Sequence, residues 1–209
     1  MNFYLYIFMK KRYALLMFFF IGFHLKANNI EDLIDTIAKI STQKGIASHY
    51  GTKFHNRKTA SGERLDILGN TAAHKNLPFG TIVKIINNSN DKATLVRIND
   101  RGPFIKGRII DITPKSIKII DGFDNPIVDI EYFDNNILEQ LDSNYLLGYS
   151  INKSLIILHK SLVSIIDTIN NFEGAMNFYL DEIKKNSSLY LFIKVDKALK
   201  QQYFIGLKN

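Results

Sequence analysis

The sequence predicts a mainly β protein built around a small closed barrel, and three observations carry that prediction. From Gly45 to about Phe133, short apolar runs alternate with Gly, Pro and Asn, the texture of brief strands joined by turns. Only one or two short helical patterns interrupt them, which favours a closed barrel over a layered α/β sheet. Charge marks out the same stretch: residues 44–133 carry 14 Lys+Arg against 9 Asp+Glu, whereas residues 134–209 carry 8 of each.

The first 27 residues have the layout of an export signal. Lys10, Lys11 and Arg12 precede the apolar run YALLMFFFIGF (Tyr13–Phe23), and a polar stretch ends at Ala27. The run is short for a bilayer span. Met9 stands directly before the basic cluster, so translation from Met9 gives a compact signal. The poor small-residue pattern Leu25-Lys26-Ala27 keeps an uncleaved anchor as the competing reading of residues 1–27. Residues 28–43 read as a short helical spacer, because Ile30, Leu33, Ile34, Ile37 and Ile40 recur at helical spacing.

Within the barrel segment, 44–133, GTIVKII and ATLVRIN flank the polar turn NNSNDK and read as a hairpin. RIIDI is a further strand. Thr113 followed by Pro114 is an N-cap and a favoured first helical residue, which starts a short helix in TPKSIKII. IVDIEYF closes the segment as a strand. Beyond it, residues 134–209 read as a small α+β extension. Helices are expected in LEQLDSNYLL, along Leu158, Leu162, Ile165 and Ile169, and in AMNFYLDEIKK; strands are expected in SLYLFIKV and YFIGL.

Composition removes several classes of function. A chain of 209 residues that is 46% hydrophobic can bury a core, so wholesale disorder is excluded. With no Cys there is no disulfide, no thiolate-bound metal, no thiol nucleophile and no lipidated cysteine. The net charge of +7 suggests an anionic polymer as partner, but Lys10, Lys11, Arg12 and Lys26 supply four of those charges. The rest is only mildly basic.

Three stretches can carry chemistry. In ATLVRINDRGPF, strand alternation puts Thr94, Val96 and Ile98 on one face, and Asp100 continues that row to the turn Arg101-Gly102-Pro103. A half-desolvated carboxylate at a barrel rim suits a general acid, while Arg97 and Arg101 favour the carboxylate form; a turn-capping or ion-paired role competes with catalysis. In NTAAHKNLPFGT, His74 follows two alanines and precedes a Pro-Phe-Gly turn, where a structural histidine is the bland alternative. In ASHYGTKFHNRKTASGERLD, Tyr50, Phe54 and His55 lie among Arg57, Lys58 and Arg64, which suits a sugar polymer bearing carboxylates or a single-stranded nucleic acid. Export removes the nucleic acid from reach. His49, His55 and His74 lack a paired-ligand signature such as H-E-x-x-H, so neither a metal nor another cofactor is expected.

Taken in order, GIASHYGTKFHNRKTASGERLD, NTAAHKNLPFGTIVKI, LVRINDRGPFIKGRIIDIT and IVDIEY resemble the rare lipoprotein A (RlpA) family over residues 44–133. The resemblance implies a six-stranded double-psi β-barrel. It also implies an endolytic lytic transglycosylase that cleaves the β-1,4 bond between N-acetylmuramic acid and N-acetylglucosamine in peptide-stripped peptidoglycan strands and leaves a 1,6-anhydro end. On this resemblance Asp100 of NDRGP matches the catalytic acid/base, and His74 of TAAH the second residue needed for activity, by bonding that carboxylate or by holding substrate. Tyr50, Phe54, His55, Glu63 and Arg101 then line the substrate groove, and Asp111 of IIDIT is structural.

A single acid is chemically sufficient. Ordinary glycosidases use two carboxylates, but when the sugar's own C6 hydroxyl attacks, one carboxylate can protonate the leaving oxygen and then take the hydroxyl proton. Three departures from the family pattern stand out. His49 replaces the usual Trp. The missing Cys excludes a lipoprotein anchor, so the cleaved chain is expected in the periplasm with no stable membrane attachment. The end of the chain is only partly similar to a sporulation-related (SPOR) repeat, and a plain packing element is its alternative. The expected partners are peptidoglycan glycan strands and division-site proteins. The competing function is a non-catalytic peptidoglycan-binding scaffold; an expansin-like loosening of polysaccharide rests on fold analogy alone.

Overall fold

Six strands close into a barrel: β1 (Ile40–His49), β2 (Thr71–His74), β3 (Ile82–Asn87), β4 (Ala93–Asp100), β5 (Arg108–Ile112) and β6 (Ile127–Phe133), in the spatial order β1-β5-β2-β4-β3-β6. The computed structural model describes residues 40–134, 144–195 and 201–209, all within the unit Lys39–Asn209. The pairs β1/β5 and β2/β4 are parallel, and the other four neighbouring pairs are antiparallel. Val83, Ile85, Val96, Ile98, Ile110, Ile112, Val128 and Ile130 fill the interior. The short helix α1 (Pro114–Ile119) adds Ile117 to that core, and Thr113 caps it as the sequence predicts, its hydroxyl oxygen accepting from the Ser116 amide.

The hairpin β3-β4 forms around the expected turn, with Ile82 opposite Arg97 and Ile86 opposite Ala93. The helical spacer requires correction at its end. Ile40–Gln43 are strand, paired with Phe133–Ile130 of β6, because a ladder partner across the barrel outweighs the weak helical pattern of four residues. The rest of that expectation, residues 28–39, and the signal at 1–27 lie outside the described residues.

Much of the outer face of the hairpin is buried as well. Ile82 and Leu95 point away from the barrel interior, yet are 2% and 0% exposed, because the C-terminal segment packs over them. That segment consists of β7 (Tyr145–Tyr149), β8 (Ile156–His159), β9 (Val163–Ile169), helix α2 (Phe172–Glu182), β10 (Tyr190–Val195) and β11 (Gln201–Lys208). Its strands form an antiparallel sheet in the order β8-β7-β10-β11-β9. Phe172, Ala175, Met176 and Tyr179 of α2 join Leu147, Tyr149, Leu191, Ile193 and Tyr203 of the sheet with Ile82, Leu95 and Phe133 of the barrel in one core. Burying each of those three barrel side chains is worth roughly 1.5–3 kcal/mol.

The expected helix along Leu158–Ile169 is corrected to β8, a 3-10 turn at Lys160–Leu162 and β9. The same residues find ladder partners in β7 and β11, which outweigh an apolar spacing that also fits a helix. In LEQLDSNYLL, Tyr145–Leu147 are strand rather than helix, and residues 135–143 lie outside the described residues. The helix in AMNFYLDEIKK and the strands in SLYLFIKV and YFIGL form, α2 being capped by Asn171, whose side chain accepts from the Gly174 amide.

Candidate active site

Asp100 is the last residue of β4, and its carboxylate is gripped from three directions. The turn Thr59–Glu63 closes on itself through Thr59 N to Glu63 O (2.8 Å) and Gly62 N to Thr59 O (3.0 Å). This brings the Ala60 amide within 2.8 Å of Asp100 Oδ1. The Arg101 amide donates to the same oxygen at 2.8 Å. Tyr50, fixed just past β1 by its amide bond to Ile112 O (3.0 Å), donates its hydroxyl to Asp100 Oδ2 at 3.0 Å. Burial first, and then the Asp100 carboxylate, push the Tyr50 phenol pKa far above its ordinary value, so it remains a donor.

The two arginines expected to compete for Asp100 are engaged elsewhere. Arg97 makes a fork on Glu63, with Nη1 to Oε1 at 2.7 Å and Nη2 to Oε2 at 2.8 Å, while Asn99 Nδ2 also donates to Oε2 at 2.9 Å. The Arg97 hydrogen bonds hold the Glu63 carboxyl below the usual carboxylate range against the opposing effect of partial burial. Glu63 thus braces the turn that carries Ala60. The Arg101 guanidinium lies 3.8 Å from the centre of the Phe79 ring and donates to Leu77 O at 2.9 Å and to His74 O at 3.4 Å.

His74 is 4% exposed. Its Nδ1 accepts from the amides of Leu77 (3.0 Å) and Asn76 (3.2 Å), which puts the ring proton on Nε2, 3.3 Å from Gln43 Oε1. Gln43 in turn donates to the Tyr132 hydroxyl at 2.7 Å. Burial, then the positive charges of Arg101 and Lys75, lower the His74 pKa to about 4, so the imidazole is neutral at physiological pH. The structure ties His74 to the β2–β3 turn and Asp100 to Tyr50 and the Ala60 turn; Arg101 links them, with its amide on Asp100 and its side chain on the His74 turn. Phe54 meets Tyr50 edge-on, with centroids 6.5 Å apart, and carries Lys53 and Arg57 at 5.5 and 5.2 Å from its ring centre. His55 accepts from the Ile67 amide at 3.4 Å and lies 4.0 Å from Asp66 Oδ1.

Asp111 enters through strand register. Ser48 pairs with Asp111, Asp111 with Ala73, and Ala73 with Asp100, so four adjacent strands line up two carboxylates on either side of an alanine. The Ser48 hydroxyl donates to Asp111 Oδ1. Nothing local to IIDIT signals this proximity, since it depends on which strands pair. Among the described residues, no group of three His, Asp or Glu side chains is placed to hold a metal ion.

A family model described as lytic transglycolase matches residues 42–132. The endolytic peptidoglycan transglycosylase RlpA of Helicobacter pylori strain J99 is 53% identical over 77 residues, 37% of this chain and 24% of its own. This segment is an RlpA-like double-psi β-barrel. The RlpA of Neisseria meningitidis serogroup A is 54% identical to it over 72 residues, 34% of this chain and 30% of its own. A probable endolytic peptidoglycan transglycosylase RlpA of Synechocystis is 47% identical over 106 residues, 49% of this chain and 32% of its own. The chain therefore spans about a quarter to a third of the length of these curated relatives. Among solved structures, an expansin of Clavibacter michiganensis in complex with cellohexaose aligns over 80% of this chain and 92% of its own at 11% identity and a TM-score of 0.38, too slight a likeness to bear on fold or function.

Proposed function

We propose that this protein is an endolytic lytic transglycosylase of peptidoglycan, acting outside the cytoplasm on glycan strands stripped of their peptides. The observation that carries the reading is the setting of Asp100: a rim carboxylate with one oxygen pinned by two backbone amides and the other facing the Tyr50 hydroxyl, in a segment about half identical to named transglycosylases. Pinning Oδ1 leaves Oδ2 as the oxygen that exchanges a proton with substrate. Protonated Asp100 gives its proton to the β-1,4 oxygen as the bond to muramyl C1 breaks, which frees the 4-hydroxyl of the leaving sugar. The C6 hydroxyl of the same muramyl residue attacks C1, and the Asp100 carboxylate takes its proton. The 1,6-anhydro ring forms, the acid is regenerated, and no second carboxylate or water is consumed.

Tyr50 orients Oδ2 through both steps because its phenol keeps its proton. His74, neutral and buried, works as a positioning residue. It holds the turn whose carbonyls receive the Arg101 side chain, and the Arg101 amide in turn holds Asp100. Glu63 acts in the same way through the Ala60 turn. A periplasmic location and contact with division-site proteins belong to this proposal, as does a soluble form after removal of residues 1–27.

The test is mass spectrometry of the soluble products released by the purified protein from amidase-stripped glycan strands, with Asp100→Asn in parallel. Anhydro-muramyl products from the wild type alone are expected. If neither protein releases products while both co-sediment with glycan, the protein is a binding scaffold and not an enzyme.

A further inference from the structure

The turn that follows Asp100 ends in an aromatic ring with nothing over it. Phe104 is 85% exposed and Ile105, next to it, 56%. A lone exposed apolar side chain needs no explanation, but the placement of this one does. Phe54 has cations over its ring and Phe79 lies under the Arg101 guanidinium, whereas Phe104 presents its ring to solvent beside Gly102.

Gly102 shows what lies beside the edge of that ring. Its φ of +131° is a conformation L side chains rarely adopt, so the position stays bare. The point where a Cβ would stand is 3.8 Å from Asp111 Oδ2 and 3.8 Å from Phe104 Cε2, with no closer neighbour outside the adjoining residues. An apolar ring edge and a carboxylate oxygen thus flank one open spot of backbone, directly after the residue placed at the reaction centre. An apolar face next to an acceptor is the pairing that suits a pyranose, whose axial C–H groups pack on an aromatic ring while its hydroxyls donate to a carboxylate.

We propose that Phe104 is a stacking platform for a sugar ring of the glycan, with Asp111 accepting a hydroxyl of that sugar across Gly102. The proposal rests on the glycan reading above and deepens it by assigning a subsite on the Gly102 side of Asp100. Strand register agrees: Asp111 lies two strands from Asp100, about 10 Å between main chains at the usual spacing, so a strand bound at Asp100 extends over Asp111.

The chain has no Trp, so Phe104→Trp introduces a sole indole at the platform. In an Asp100→Asn background, titrating amidase-stripped glycan strands is expected to shift and quench its emission, while co-sedimentation measures binding independently. In the catalytically intact protein, Phe104→Ala is expected to raise KM about five- to tenfold with kcat within about twofold, the loss of one stacking contact, and Phe104→Tyr to restore it. Glycan that co-sediments without changing the indole emission, or a Phe104→Ala protein with wild-type KM, overturns the proposal. An emission change in the Asp100→Asn background, with no products released by the catalytically intact protein, leaves the subsite standing and removes the transglycosylase reading, so the two fail separately.

Discussion

Tyr50 and Asp100, fifty residues apart in the chain, meet at 3.0 Å, with the phenol donating to the carboxylate oxygen that the backbone leaves unpinned. Two segments that the sequence presents as separate, one aromatic and basic and the other acidic, form one unit because β1 runs parallel to β5 while β4 reaches the same rim through β2.

Tyr50→Phe keeps the ring and its edge contact to Phe54 and removes only the donor. Turnover of stripped glycan is expected to fall about ten- to a hundredfold, with KM within about twofold and an unchanged circular-dichroism spectrum. Wild-type turnover in this variant would show that Asp100 needs no partner on Oδ2.

His74 sets a pH dependence of stability. Its pKa is about 4 in the fold and near 6.5 in the unfolded chain, so the unfolded state takes up a proton first as pH falls. Stability is therefore undiminished above pH 6.5, declines between 6.5 and 4, and levels off below, with a total loss on the order of 3 kcal/mol. Urea unfolding followed at intervals across this range measures the decline in the wild type. His74→Gln should abolish that component and leave only the part contributed by carboxylates; identical slopes for the two proteins would remove His74 as its source.

Glu173 of α2 accepts from the backbone amide of Asn70 at 2.8 Å and from its Nδ2 at 2.9 Å, on the fully buried residue immediately before β2. Glu173→Ala leaves that amide buried without an acceptor, at a cost of about 1–3 kcal/mol. The thermal midpoint should drop by roughly 3–8 °C, and Glu173→Gln, which keeps one acceptor, by less. An unaltered midpoint in the alanine variant would mean the contact contributes nothing to holding β2.

Local signals in the chain marked out the elements whose residues answer to their immediate neighbours. Thr113-Pro114 starts α1 because a hydroxyl cap and a fixed φ act within four residues, and NNSNDK reverses the chain between β3 and β4 for equally local reasons. Asp100 at a strand end before Arg-Gly-Pro is legible in the same way. Apolar spacing alone could not tell helix from strand at Ile40–Gln43 or along Leu158–Ile169, since both patterns bury the same side chains and only the ladders to β6, β7 and β11 decide between them.

The partners of the charged groups were equally out of reach. Arg97 follows Leu95 and precedes Asp100, yet it belongs to Glu63, and Asp111 looks like a helix-leading structural acid until Ala73 is seen between it and Asp100. For His74 the sequence leaves open a structural histidine and the activity role implied by the family resemblance, and only the fold shows that amides two and three residues on occupy Nδ1 and that burial keeps the ring neutral. The sequence by itself determined the barrel, its motifs and the acid at its rim, because those rest on short-range propensity and turn chemistry. Tertiary structure alone decided which side chains share a site and that the C-terminal sheet seals the outer face of β3 and β4, because pairing between distant strands and the burial of both faces of a strand are set by the whole chain at once.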